Sequence, residues 1–536
     1  MNIKYMFYLF FFFPIFNWAS PMPVYSTDTI TWSGNIELTA DYFVNAQQTL
    51  QVAPGTVVTA TGAFKIEVRG NMIAEGTENN PILFTAYDTV GLYDSATISG
   101  GWQGIHLLDN DAGLSRFSYC TFEYGKANVP GSWFGAQGRF DTLNGNRGGG
   151  IKIFNYQNAE FEHCTFSHNY SRTRGGGVYC DFVQSITFSS CDFVQNKTMV
   201  FGGALYCGKI DSLLVTRSTF KLNTAYYYFE GPNGRECFSN GSAIFLDDWY
   251  LPSINNIRNN SFFNNYSLTT IVVFSTNSSI VNNVFTNNYN WFVLTFNRLQ
   301  SSHTVFNNTM ANNYYDRGIP GISAYTQDLR FYNNIMWNNL SDSIQINDMA
   351  IETFGNIPDI NYNLIWEGRA PGSNMITDDP LFVNPAPNYG LASNGWEYDW
   401  SLQDDSPAVN AGTPDTTGMN LLPEDLAGNP RIFGNRIDMG TYENQHVWVK
   451  INDSPVFANQ IKVYPNPGTD RIMVALPENT TDAWIELFDG TGQRVLLERV
   501  YANLCVFTPA HLAPGIYFYR IYNRNQVFKK GKWVKK

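Results

Sequence analysis

Charge is scarce in this chain: only 15% of its 536 residues are Asp, Glu, Lys or Arg, and they sum to −12. The balance is uneven, because residues 444–536 hold 12 Lys/Arg against 7 Asp/Glu, so a +5 tail follows a body at −17. A body of that sign lacks the basic surface that phosphate contacts need, which argues against nucleic acid as its partner. Seven cysteines in this length do not make a disulfide scaffold. Beyond the first residues no apolar run approaches a membrane span, so no transmembrane segment is expected in the mature chain. No stripe of 10–12 residues at helical spacing separates the short strand-like runs described next. That excludes βαβ units and a horseshoe with helical backs.

What the chain has instead is a repeated phrase. It reads TyrCysThrPheGluTyr at 119–124, HisCysThrPheSerHisAsn at 163–169 and SerCysAspPheValGlnAsn at 190–196. It continues through Thr219-Phe220, Phe262, AsnValPheThrAsnAsn at 283–288 and AsnIleMetTrpAsnAsn at 334–339. Phe166, Phe193 and Phe220 are 27 residues apart, and a glycine phrase at 148–150, 175–177 and 202–203 keeps step. Between these marks lie brief period-two runs such as Ser185–Ser189, a strand signal. Short strands recurring every 22–27 residues, joined by Asn, Gly, Ser and Asp, predict one coil of a parallel β-helix per repeat. The Phe/Met positions become an interior column. Asn169, Asn196 and Asn223 fall at a corner, where Asn tolerates left-handed backbone and its amides can bond up the stack. The glycines serve tight bends or close packing; no Lys-Ser/Thr follows them, as a phosphate cradle would need. Cys120, Cys164 and Cys191 share one slot, Cys180 and Cys207 another. Stacked slots are close enough for a bond in principle, but buried thiols commonly pack as small core residues; Cys164 and Cys191 read as unbonded, with a Cys180–Cys207 bond as the lesser alternative in an oxidising exterior.

The start, a lysine followed by a run of Phe, Leu, Tyr and Ile to Phe16, reads as a signal peptide over 1–26, with a mature start near Thr27. The phrases Leu50–Val57, Ile66–Gly70, Met72–Gly76, Pro81–Thr85 and Gly101–His106 then resemble the N-terminal coils of secreted right-handed β-helix proteins of the pectate-lyase-like group. That resemblance implies the handedness. From Asp378, five phrases in order, ending in Ile437–Glu443, resemble the segment that closes many bacterial β-helices, and its expected role over 378–443 is a cap on the last coil. After a linker at 444–458, residues 459–536 alternate apolar and polar between Gly, Asn and Pro turns, which predicts a small β-sandwich. The start Tyr464, Pro465, Asn466, Pro467, Gly468, the Asp489–Gly492 turn, the Leu512–Tyr517 run with Gly515 and the basic end closely resemble the C-terminal sorting domain of type IX secretion in Bacteroidota. This implies export by that machinery to the cell surface or the medium. The expected fold is thus all-β: a right-handed parallel β-helix solenoid over 27–377, its closing segment, and a C-terminal β-sandwich.

Activity is harder to read. Two insertions, near 126–147 and 226–240, break the rhythm, and in a solenoid such insertions map to one face. A β-helix lyase needs a base and cationic groups or Ca²⁺ for a uronate; a hydrolase needs two carboxylates. Arg172, Arg174, Asp247 and Asp248 are the catalytic candidates, each with a turn-charge alternative. His163 and His168, an odd number apart, should face opposite sides. No cofactor is expected, although Asp425 and Asp438 could serve Ca²⁺. The reading that fits a chain with no clustered Asp column is a non-catalytic binder of a polysaccharide or surface glycan. Trp133, Tyr227, Trp249 and Tyr250 are its ligand-binding candidates, with Trp102, Trp291 and Trp337 as further exposed aromatics.

Overall fold

The computed structural model describes residues 28–130, 144–226, 228–231, 234–237, 239–248, 253–275, 277–315, 321–341, 351–353, 358–366, 372–419, 421–446, 460–477, 483–523 and 527–536, with backbone only for 228–237. The signal-peptide reading lies outside these residues. The chain divides into two compact units, Met1–Gln445 and His446–Lys536.

In the first unit a coil runs along one face, bends, follows a second face, and crosses a third on a short strand. Val178–Ser189 covers the first two faces, bending at Phe182 (φ 56°), and Asp192–Val194 crosses the third. Third-face strands stack as 12 parallel strands, from Asn35–Leu38 to Leu364–Ile365. In the middle coils a two-residue rung such as Lys197–Thr198 completes the turn. Phe84, Phe122, Phe166, Phe193, Phe220, Phe262, Phe285, Met310 and Met336 pair directly from coil to coil, all buried. Their rings stack at 4.5–5.2 Å, the spacing of neighbouring strands. Phe117, Phe161 and Phe188 meet that column edge-on, the geometry aromatic quadrupoles favour.

The asparagines divide two tasks that the sequence merges. Asn169, Asn196, Asn223, Asn265, Asn288, Asn313 and Asn339 form a ladder in which each Nδ2 donates to the next Oδ1 at 2.9–3.0 Å. The left-handed residue is the one before: His168, Gln195, Leu222, Asn264 and Asn287 have φ of 52–60°. The corner expected at the ladder Asn therefore turns one residue earlier. The glycine phrase splits similarly. Gly175 and Gly202 take φ of +66° and +69°, while a Cβ on Gly176 would sit 2.2 Å from the Gly203 carbonyl of the next coil.

A second ladder runs through Asn260, Asn283, Asn308, Asn334 and Asn363. Its slot is filled earlier by Ser218 and the cysteines. Ser218 N–H donates to Asn260 Oδ1, and Cys191 N–H to Ser218 Oγ. The Cys164 and Cys191 thiols donate at 3.4 Å to Phe117 O and Phe161 O of the preceding coil, as Asn260 Nδ2 donates to Val215 O. The cysteine column is a weak beginning of a hydrogen-bond ladder.

The closing segment caps less than its position suggested. Ser373 and Ile376, ahead of it, bridge to Asn361 and Leu364 of the last coil. The segment itself runs along the outside of the third face, where Phe382, Trp400, Leu402, Ala408 and Met439 bury Val284, Ala311, Ile335 and Leu364. The left-handed asparagines hold it there. Asn264 donates to Ser393 O at 2.7 Å, Asn287 to Asn388 O at 2.8 Å, Asn312 to Ala386 O at 2.7 Å and Asn307 to Asp438 O at 3.0 Å. This explains why those slots read His, Gln and Leu early and Asn later: Asn appears where a segment lies against the corner.

The second unit is a sandwich of two antiparallel sheets. One holds Lys462–Tyr464, Ile472–Ala475 and Leu504–Phe507; the other Arg494–Val500, Ala483–Phe488, Gly515–Tyr522 and Val527–Lys535. Ile461, Ile472, Ile485, Ile521 and Trp533 are fully buried between them. Glu486, 1% exposed, accepts from Arg494 Nη1 at 3.0 Å, from Tyr522 Oη at 3.1 Å and from Arg520.

Candidate functional site

Outward positions of a β-helix face normally meet water, but one column here is covered. Lys152, Tyr179, Tyr206 and Phe245 are paired in register on consecutive coils and at most 5% exposed. Arg147 and Arg174, bridged at the neighbouring corner, lie over this column. Arg147 Nη1 donates to Tyr179 Oη at 3.1 Å, and the Arg174 guanidinium sits 5.1 Å from the centre of the Tyr206 ring. Tyr179 donates to Asp181 at 3.0 Å, and Tyr206 to Asp247 at 2.5 Å. Burial pulls the Arg174 pKa down, but Tyr206, Tyr179 and Asp247 outweigh it and the net shift is upward. Burial, reinforced by Asp247, pushes the Tyr206 phenol well above its ordinary value. The cluster therefore holds a fixed cation and a protonated phenol at neutral pH, a set suited to hydrogen bonding and ill suited to proton abstraction.

Two of the four catalytic candidates thus meet, Arg174 and Asp247, around a tyrosine the sequence reading passed over. Arg172 instead reaches Ser95 O at 2.8 Å and Asn128 Oδ1 at 3.3 Å, pinning a loop. Asp248 is 1% exposed, and its backbone carbonyl accepts from Arg298 at 2.7 Å. His163 and His168 do not converge; each takes left-handed backbone and stacks on the tyrosine of the preceding coil, Tyr119 or Tyr124. Asp425 accepts from the backbone N–H of Ala427, Asn429 and Glu443, and Asp438 from those of Asn410 and Asn444. Their lone pairs face donors, with Arg431 on Glu443 at 2.5 Å as the adjacent cation. That is a turn-and-salt-bridge arrangement and does not fit Ca²⁺.

Trp133, Tyr227, Trp249 and Tyr250 lie outside the described residues. Trp102 is 1% exposed and donates to Glu123 O, so it belongs to the core. Trp337 packs against the closing segment. Trp291 remains, 42% exposed, its ring parallel to Tyr315 at 5.8 Å. Beside it runs a row of half-buried tyrosines. Tyr226 packs on Tyr266 at 5.0 Å, Tyr266 stacks on Tyr289 at 4.7 Å, and Tyr289 meets Tyr314 at 5.8 Å. Tyr266, Tyr289 and Tyr314 are bridged coil to coil. The missed signal was AsnAsnTyr at 264–266, 287–289 and 312–314, where the tyrosine follows the ladder Asn.

In the second unit the sorting motif is stitched to the last strand. Trp533 Nε1 donates to Pro465 O at 2.9 Å, Asn466 Oδ1 accepts from Val534 N–H at 3.0 Å, and Gly468 N–H donates to Val534 O at 2.9 Å. A Cβ on Gly468 would meet the Trp533 indole nitrogen at 2.9 Å, whereas Gly515 has room for one.

No helix among the described residues is long and apolar enough to cross a membrane. Comparison with known families matches residues 92–290 to the right handed beta helix region and residues 462–536 to the secretion system C-terminal sorting domain. A comparison with curated proteins returns no match. The stacked parallel coils and the motif stitched to the final strand agree with both matches, and the chain is a right-handed parallel β-helix protein with a type IX sorting domain, exported to the cell surface or the medium.

Proposed function

We propose that the exported β-helix is a non-catalytic binder of an extended polysaccharide or surface glycan, held along the corner that carries the tyrosine row. The row Tyr226, Tyr266, Tyr289, Tyr314 with Trp291 carries this reading. It repeats at the coil spacing of ~4.8 Å, close to the rise of one sugar in an extended chain, so successive residues of one glycan would meet equivalent groups. Aromatic rings offer apolar faces and edges to sugar C–H groups. Over the first face Arg147 and Arg174 with Asp181 and Asp247 supply the planar charged groups that recognise hydroxyls.

A glycan hydrolase is the second reading, favoured by one observation: Asp181 and Asp247 stand either side of the coil of Gly208, about 10 Å apart at two coil spacings. That is near the upper limit for an inverting pair. Both carboxylates are hydrogen-bonded to buried tyrosines, which supports the binding reading over it. The test is a glycan array on the exported chain, with a product assay on every hit. Binding without product supports the first reading, product formation the second, and no hit removes both.

A further inference from the structure

Cys180 and Cys207 are directly paired residues of parallel strands, Val178–Ser189 and Leu205–Cys207. Both are fully buried, and their sulfurs lie 3.0 Å apart. The same interior column is aliphatic elsewhere: Leu107 and Ile153 on one side, Leu246 and Val273 on the other. Nonbonded carbon atoms in such a column rest about 3.5–4.0 Å apart, so this sulfur contact is closer than packing alone requires. Paired strands lie about 4.8 Å apart, within the 4.4–6.8 Å, roughly, that a disulfide needs between Cα atoms.

The remaining core thiols are engaged differently. Cys120, Cys164 and Cys191 each donate to two backbone carbonyls, one from their own coil and one from a neighbouring coil. Cys180 makes one such bond, to Tyr206 O at 3.3 Å. Among the described residues, Cys180 and Cys207 are the pair whose thiols meet in a slot that is otherwise aliphatic. The sorting domain sends the chain out of the cytoplasm, and outside it disulfides persist.

We propose that Cys180 and Cys207 are joined by a disulfide that ties two consecutive coils in the exported protein. One thiolate attacks the disulfide of an oxidised periplasmic thiol–disulfide carrier, giving a mixed disulfide. The second thiolate then attacks the protein-side sulfur and releases the carrier as a dithiol. Two thiols lose two electrons and two protons to the carrier, and one S–S bond forms. Since both thiols are fully buried in the closed coil and out of a carrier's reach, the bond forms before these coils close.

The experiment is alkylation of the full exported chain, unfolded without reductant, followed by mass measurement and peptide mapping. Five of the seven thiols should react, and the Cys180 and Cys207 peptides should run as one species that reductant separates. Seven reactive thiols, or a bridge to any other cysteine, would overturn the proposal. As a second measurement, reductant should lower the thermal midpoint of the native chain and leave that of the Cys180→Ala/Cys207→Val double variant unmoved. An equal shift in both would also sink it.

Discussion

Thr441 of the closing segment and Thr309 of the third-face sheet exchange hydrogen bonds, each hydroxyl accepting the other's backbone N–H, at 2.9 and 3.0 Å. The Thr441 hydroxyl also donates to Asn283 O at 2.7 Å. All three groups are buried. Thr441→Val keeps the shape and removes two hydroxyl hydrogen bonds, while the Thr309 N–H and the Asn283 carbonyl keep each other at 3.0 Å. It should cost about 1–2 kcal/mol, read from the urea midpoint of the β-helix unit. A change below about 0.5 kcal/mol, the level of an ordinary surface substitution, would mean the segment is not locked at this point.

The separation of ladder and corner predicts opposite outcomes at adjacent positions. Gln195 is exposed with φ 55°, so Gln195→Gly should be neutral or stabilise by up to about 1 kcal/mol, since left-handed backbone costs other residues roughly that much. Asn196→Ala removes its amide bonds to Phe166 O and the Asn223 amide and should destabilise by about 2–4 kcal/mol. Equilibrium unfolding of both variants decides, and the reverse order would assign the corner to Asn196.

Glycan binding gives a third test. On a ligand found by the array, Trp291→Ala and Tyr289→Ala should each weaken affinity by about 3–10-fold, the scale of one aromatic contact, measured by titration calorimetry. If both variants bind within twofold of the parent, the tyrosine corner is not the binding edge.

His303 gives a pH dependence of defined sign. It is fully buried, with Nδ1 2.8 Å from Ser278 Oγ and its ring against Phe296. Burial lowers its pKa to about 3. Between that value and the ordinary 6.5 the unfolded chain binds the proton and the folded chain does not, so stability falls as pH drops below 6.5. At pH 5 the loss should be about 2 kcal/mol. Asp438 and Glu443, which burial raises to about 6 and about 8, act in the opposite direction. The measurement is therefore the difference between the native chain and His303→Asn across pH 5 to 8. A difference that does not change with pH would show that His303 stays neutral in both states or charges in the fold.

What the sequence made legible was whatever recurs at the coil period. The Phe166, Phe193, Phe220 column needed only a 27-residue repeat and apolar side chains, and the structure puts these rings where the period does. The equivalence of Cys191, Ser218 and Asn260 was hidden, because the slot selects a hydrogen-bond donor and the three side chains share neither size nor shape. The contact of Asn312 with Ala386 spans 74 residues and that of Asn259 with Asp425 spans 166; no local pattern encodes either. Arg172 and Arg174 looked equivalent two residues apart. The corner between them sends one to a loop carbonyl and the other over Tyr206.

In the asparagine ladders every coil takes its acceptor from the coil that follows it: Asn196 donates to Asn223, Asn223 to Asn265, Asn265 to Asn288. A coil inserted whole, with its ladder slots filled, meets the same interface on both sides that its neighbours already present to one another. Part of a coil meets neither. The solenoid can therefore change length during evolution in whole coils without inventing a new contact, while a partial insertion must bulge out of the stack at a bend, as the two extra residues do between Asn110 and Leu114 and between Arg298 and Ser302.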